Sequence, residues 1–199
     1  MERILIVHHD PRSPRAAEAV ISLARAVEKA LGIPAAACPV SEPDGCSGPC
    51  GLGVALFLAR GGHFSDAHAM LRGSCRRVLG PVPRWVTALH VASSIARSGL
   101  EGTVYLLYHE AKRLRQWQAE DYSAIAALVE GLLRGVYGLG ARVVALGRGE
   151  ARAMGVRGIL LSVMPGGGDR VSLLGGEPGF SLVAGWILGG AGGLFPGLS

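Results

Sequence analysis

The sequence predicts an α/β protein made of two similar halves, each a parallel sheet flanked by helices, with a cleft between them. Three observations predict it. Short apolar runs, Ile4 to Val7 and Val54 to Leu58, lead straight into histidine-bearing turns, as buried parallel strands do. Amphipathic helical stretches alternate with these runs, the signature of β-α-β units. The second half then repeats landmarks of the first in the same order. Val7-His8-His9-Asp10 is matched by Leu107-Tyr108-His109-Glu110, and Leu79-Gly80-x-x-Pro83-x-Trp85 by Leu174-Gly175-x-x-Pro178-x-Phe180. His9 to His109 is an offset of 100. The halves are read as residues 1–100 and 101–199, the second degenerate because Gly168 or Asp169 stands where the first has His63.

Taken in order, the first strand ends at His8-His9. Ser13 is set to cap a helix that opens with Pro14, and Ala16, Val20, Leu23, Val27 and Leu31 give it one apolar face before Gly32 stops it. Ala35 to Val40 reads as a short strand and Pro43 to Gly53 as a Gly/Pro/Cys-rich loop. Val54 to Leu58 is a buried strand, followed by the His63 turn and a short helix around Ala67 to Leu71. Pro83 to Ser98 reads as a helix with Trp85, Leu89 and Ala92 on one face. In the second half, Ile125, Leu128, Leu132 and Val136 mark the long helix, Arg142 to Leu146 a strand, and Gly158 to Met164 a buried strand.

The chain has 199 residues, 49% of them hydrophobic and 18% charged, enough to bury a core. Arg3 and His8 bracket only four apolar residues, which does not make a signal peptide, and the expected location is the cytoplasm. The 22 residues after Glu177 carry no charge, but seven glycines and Pro196 interrupt them, so packing on the protein's own core is expected in place of a membrane span. The net charge is +5 and 18 of the 20 basic residues are arginine. Arg76-Arg77 and Lys112-Arg113-x-Arg115 accompany no nucleic-acid motif and read as solvated faces or, equally well, as binders of polycarboxylates.

Residues just past the carboxyl ends of neighbouring parallel strands converge on one crevice. His9 and His63, 54 positions apart, are therefore expected to meet there, where two imidazoles can bind a metal or move protons. His8 points to the other side of its strand, and His68 and His90 read as surface or packing residues. His109 either faces the cleft from the second half or is a relic of duplication. Asp10, Asp66 and Glu110 are near the histidines in sequence. Asp10 and Asp66 suit helix capping, Asp66 especially, and Glu110 is the best of the three for metal or proton work.

These residues also carry a resemblance. A strand ending in a histidine turn with Pro11 and Arg12 behind it, a long helix, and then Phe57-Leu58-Ala59-Arg60-Gly61-Gly62-His63 followed by Asp66 resemble the sirohydrochlorin chelatase family. These class II chelatases insert cobalt, nickel or iron into a tetrapyrrole. The family's usual G-H-G-S-R reads His8-His9-Asp10-Pro11-Arg12 here.

The resemblance implies a chelatase-like fold and a lyase in which His9 and His63 are catalytic and hold a divalent metal as substrate (Co²⁺, Ni²⁺ or Fe²⁺); Glu110 is expected as a further ligand if the halves face each other. It also implies that Arg12 and Arg60 bind the carboxylates that rim a sirohydrochlorin-like ring. The expected partner is that tetrapyrrole, with no nucleic acid, no nucleotide cofactor and no membrane span. A duplicated chain supplies the pairing that single-domain relatives obtain by dimerising, so a monomer or a homodimer is expected. The altered first motif suggests an alternative, a chelatase-fold protein that holds a tetrapyrrole or metal without turnover.

Other chemistries lack their residues. The glycine-rich turns carry neither G-x-G-x-x-G in register nor a Walker lysine, and no nucleophile elbow is present. Cys38, Cys46, Cys50 and Cys75 do not have zinc-ribbon or ferredoxin spacing. Free thiols, or a disulfide joining Cys46 to Cys50 or Cys38, are expected.

Overall fold

A computed structural model describes residues 3–42, 48–100, 102–166 and 170–192. The first half runs β1 (Ile4–His8), α1 (Pro14–Leu31), β2 (Ala35–Pro39), β3 (Cys50–Leu56), α2 (Gly62–Ser74), β4 (Cys75–Leu79) and α3 (Arg84–Ser98). The second runs β5 (Thr103–Tyr108), α4 (Arg115–Gly135), β6 (Arg142–Gly147), α5 (Arg148–Ala153), β7 (Ile159–Ser162), β8 (Arg170–Ser172), a 3-10 turn at Leu173–Gly175 and α6 (Gly179–Ala191). The protein is α/β, with two four-stranded parallel sheets of identical order, β2-β1-β3-β4 and β6-β5-β7-β8.

The likeness of the halves extends to single hydrogen bonds. Ile4 is in register with Ala35 and Val104 with Val143, so the 100-residue offset holds along the central strands. The edge-strand amides at those positions are both capped by a glutamate from the preceding helix. Ala35 N–H donates to Glu28 at 3.3 Å and Val143 N–H to Glu130 at 2.9 Å. An edge amide left bare invites pairing with another chain, and a carboxylate over it removes the template.

Helix α1 forms where its sequence places it. Ser13 accepts the Ala16 amide, Pro14 occupies the first turn, and Gly32 closes the helix at φ +65°, a left-handed conformation costly for any residue with a Cβ. The last helix of each half crosses to the other: α3 packs on α4, and α6 on α1 and α3. One core therefore contains Ile6, Leu23, Leu52 and Val86 together with Leu106, Ile125, Val129 and Ile187. A smaller cluster on the other face of the first sheet joins Leu5, Val7 and Phe57 to Ala67 and Leu71 of α2. The uncharged C-terminal region contributes α6, whose Val183 and Ile187 are buried, and no helix is long and apolar enough to cross a membrane. Gly179 opens α6 against the ring of buried His90, where a Cβ would come within 2.8 Å of Nδ1.

Several elements depart from expectation. Residues 50–53, expected in a loop, begin β3. Gly53 belongs there because a Cβ would lie 2.9 Å from Leu71 and from Cys75 Sγ, so glycine lets α2 close on the sheet. Strand β4 was not expected, since Arg76 and Arg77 are exposed on a sheet edge and leave no apolar alternation. Its first residue, Cys75, pairs in register with Cys50 and forms a disulfide with it, Cα to Cα 4.5 Å. Cys50 is thus bonded to Cys75 and not to Cys46, which lies outside the described residues, as do Gly168 and Asp169.

Two helices are rotated from their expected faces. Trp85 is 51% exposed, while Val86, Val91 and Ile95 are buried. On α4, Leu128 and Val136 are 43% and 68% exposed, and the buried stripe is Asp121, Tyr122, Ile125, Val129 and Leu133. Asp121, 3% exposed, sets that rotation. It accepts from Arg60 N at 2.8 Å, from Arg60 Nε and Nη2 at 3.0 Å each, and from Arg84 Nη2 at 2.6 Å. Burial alone would push its carboxyl up, but the bonds from Arg60 and Arg84 outweigh it and hold the group below the usual carboxylate range.

Asp121→Asn is expected to lower stability by about 2–3 kcal/mol. This is less than the ~3–5 for orphaning a fully buried charge, because both arginines keep access to water. Urea unfolding of the two proteins checks this.

Candidate functional site

Parallel pairing of β1 with β3 brings their carboxyl ends side by side, with His8 opposite Leu56. His9 follows the first strand. The turn 57–61 follows the second and delivers His63 as the second residue of α2, with extended Gly61 as the N-cap. The two imidazole rings lie 4.4 Å apart between centroids, edge on at 65°. Phe57 supports His9 at 5.7 Å, and Phe64 lies between Phe57 and His68, 6.3 and 5.3 Å away. Both site histidines are exposed, so solvent and ligand reach them.

His8 shapes the turn from below. It is buried, and its Nδ1–H donates to the His9 carbonyl at 2.6 Å. Burial pushes the His8 imidazole below the usual range, against the raising influence of that carbonyl and of Asp10. His9 is also pushed down, first by partial burial and then by the neighbouring His63, with Asp10 opposing. The neutral imidazole, which binds metals and accepts protons, is thereby favoured.

A cleft of about 420 Å³ lies between the halves, within the size range of small-molecule sites. His9, Asp10 and Arg12 line it from the first half, and His109, Gln118, Tyr122 and Met164 from the second. His63 stands beside His9 next to this cleft. His109 occupies on β5 the position His9 has on β1, one residue past the central strand, so it faces the cleft.

The remaining candidates are placed differently. Among the described residues no three His, Cys, Asp or Glu side chains converge on one point, so Glu110 does not join His9 and His63. Its oxygens are engaged by Arg115 Nη2 at 2.8 Å and by the Gly149 amide at 3.0 Å. Arg60, expected at the ligand rim, is spent on Asp121 and lies over Trp117 at 5.5 Å. It is a strut between halves. Asp66 is not a cap: it lies inside α2 and takes both contacts of Arg113, at 2.7 and 2.9 Å. Asp10 accepts a hydrogen bond from Ser41, while Ser13 caps α1. Arg12 alone of the two expected arginines lines the cleft.

Sequence reasoning passed over Asp121, Arg148 and the tyrosine pair. Asp121 carried a readable signal, an acid in phase with the Tyr122–Ile125–Val129 stripe. Tyr108 and Tyr122 stack in parallel at 4.4 Å, and burial keeps both phenols protonated.

No protein-family model matches the chain, and no curated protein matches it. Two solved structures, described as the XylFII molecule and the XylFII-LytSN complex, are 12% and 11% identical and superpose with a TM-score of 0.38 each. Each match covers 81% of this chain and 70% of the other. Likeness at that level bears on neither the site nor its chemistry.

His9 is expected to titrate below the ordinary imidazole range by NMR, and His63→Ala to move it upward, because the substitution removes a positive charge from its side. An unchanged His9 titration in that variant would contradict the assigned coupling.

Proposed function

We propose that the protein is a metal chelatase that inserts a divalent ion, cobalt or nickel or else iron, into sirohydrochlorin or a related tetrapyrrole. The single observation that carries this reading is the His9–His63 pair, 4.4 Å apart beside an open cleft at the strand ends. Two imidazole nitrogens suit borderline divalent ions. Two donors are also few. A metal that is to be handed over must be held more weakly than by the four ring nitrogens that take it, and a closed four-ligand cage would retain it.

In this reading His9 and His63 hold the ion at the rim of the cleft while the ring lies in it. Insertion displaces two pyrrole protons: one passes to the imidazole that has just released the ion, a role the downward-shifted His9 suits by starting neutral, and the other passes to water. His8 holds the backbone of the His9 turn, and the Arg60–Asp121 clasp holds the turn that carries His63. The protein works at the junction of its halves.

A second reading, a holder of tetrapyrrole or metal without turnover, is favoured by one observation: Glu110 is engaged elsewhere and supplies no carboxylate to the pair.

Absorbance titration of sirohydrochlorin with and without Co²⁺ or Ni²⁺ separates them. The chelatase reading expects the metallated spectrum to grow through many turnovers, and either His9→Ala or His63→Ala to slow it by roughly a hundred-fold or more, the scale of general-base and ligand losses. A spectral shift that stops at one equivalent of protein supports the holder. Insertion no faster than in buffer, with no shift, rejects both.

A further inference from the structure

Much of the cleft wall is apolar. Leu56 and Leu58 line it from the first half, and Leu161, Val163 and Met164 from the second. Several of its polar groups are spent within the protein: Ser13 caps α1, Asp10 accepts from Ser41, and Ser162 donates to the Met164 carbonyl. Gln118, near the start of α4, is different.

Its side chain is fixed at one end and open at the other. Oε1 accepts the Ala111 amide at 2.7 Å. A backbone N–H only donates, so the oxygen faces Ala111, and turning the carboxamide over would forfeit that bond. Nε2 then carries two N–H donors with no acceptor among the described residues. The side chain lines the cleft and can therefore donate to a ligand without giving anything up.

Two neighbours define what it would meet. Tyr122, one turn further along α4, lines the same cleft, so a ligand held by Gln118 lies against an apolar and aromatic surface. On the other side, a Cβ on Gly61 would lie 3.8 Å from Nε2, which places the donors beside the turn that presents His63 two residues later. Arg12 lines the cleft from the first half and is exposed, so a ligand with acidic groups on an apolar body finds a cation there and neutral donors at Gln118.

We propose that Gln118 is a ligand-binding residue, whose carboxamide N–H groups donate to a carboxylate at the rim of the ligand and seat it beside the His63 turn. This inference rests on the tetrapyrrole reading for the identity of the ligand.

The test uses two near-isosteric substitutions. Gln118→Glu keeps an oxygen for the Ala111 amide and replaces only the donors, whereas Gln118→Met loses the Ala111 bond as well but adds no charge. Binding of uroporphyrin, an octacarboxylate tetrapyrrole, is read without metal from quenching of tryptophan fluorescence, alongside the thermal unfolding midpoint. Gln118→Glu is expected to weaken binding by roughly ten-fold or more, the scale of a lost hydrogen bond to a charged group, with an unfolding midpoint close to that of wild type. Gln118→Met should weaken it several-fold, less than Glu does. Gln116→Glu, which adds the same charge on the exposed side of α4, should stay within about two-fold of wild type.

A residue that merely braces Ala111 gives the opposite order, Met worse than Glu, and that order overturns the inference, as does unchanged affinity in Gln118→Glu. Should Gln118→Glu fail to fold, wild-type affinity in Gln118→Met overturns it as well. No uroporphyrin binding by wild type refutes the tetrapyrrole reading and the inference with it. Binding that depends on Gln118 in a protein that inserts no metal upholds the inference and refutes the chelatase reading instead. Metal insertion whose KM for sirohydrochlorin is unmoved by Gln118→Glu does the reverse.

Discussion

Asp121 is the point on which the two halves depend. A buried carboxylate is costly unless its lone pairs are filled, and here four N–H donors fill them, three from Arg60 and one from Arg84. Those donors come from the turn after β3 and the start of α3, and the acceptor from α4, so one charge ties three elements across the junction. The constraint has two consequences. It rotates α4 so that Tyr122, Ile125 and Val129 face the shared core, and it anchors the backbone of the turn that presents His63. Arg113 with Asp66 reinforces the same contact from the exposed side, where an ion pair contributes little by itself.

On this frame the halves share a plan and differ in chemistry. Strand order and the glutamate caps on Ala35 and Val143 are the same in both, and a histidine follows each central strand. What differs is the connection to the fourth strand. Where α2 is present, the first histidine gains an imidazole partner; where seven residues replace it, the second gains Arg148. Two imidazoles make a nitrogen donor pair suited to a borderline cation.

Much of the fold was legible because local signals agreed with tertiary structure. Ser13, Pro14 and Gly32 bound α1 as written, and the apolar run into His63 marked β3 and the crevice beside β1. The meeting of His9 with His63 followed from topology alone. What was not legible depended on partners distant in sequence. Leu128 and Val136 form as good an apolar stripe as the buried one, and only the Asp121 clasp decides between them. Arg60 looks like a ligand-binding residue until Asp121, 61 positions away, is seen to take it. Glu110 reads as a metal ligand until the Gly149 amide and Arg115 claim its oxygens. The sheet-edge position of β4 hid it, since two exposed arginines in five residues erase the alternation a strand shows.

The claim that His9 and His63 act as one site is tested most directly by a double-mutant cycle on Co²⁺ binding, followed by equilibrium titration of wild type, His9→Ala, His63→Ala and the double variant. A shared ion predicts that each single substitution removes most of the affinity and that the double variant loses little more, because the second histidine has no ion left to hold. Independent losses that add in the double variant, or a wild type that binds Co²⁺ no better than the double variant, would contradict a common metal site.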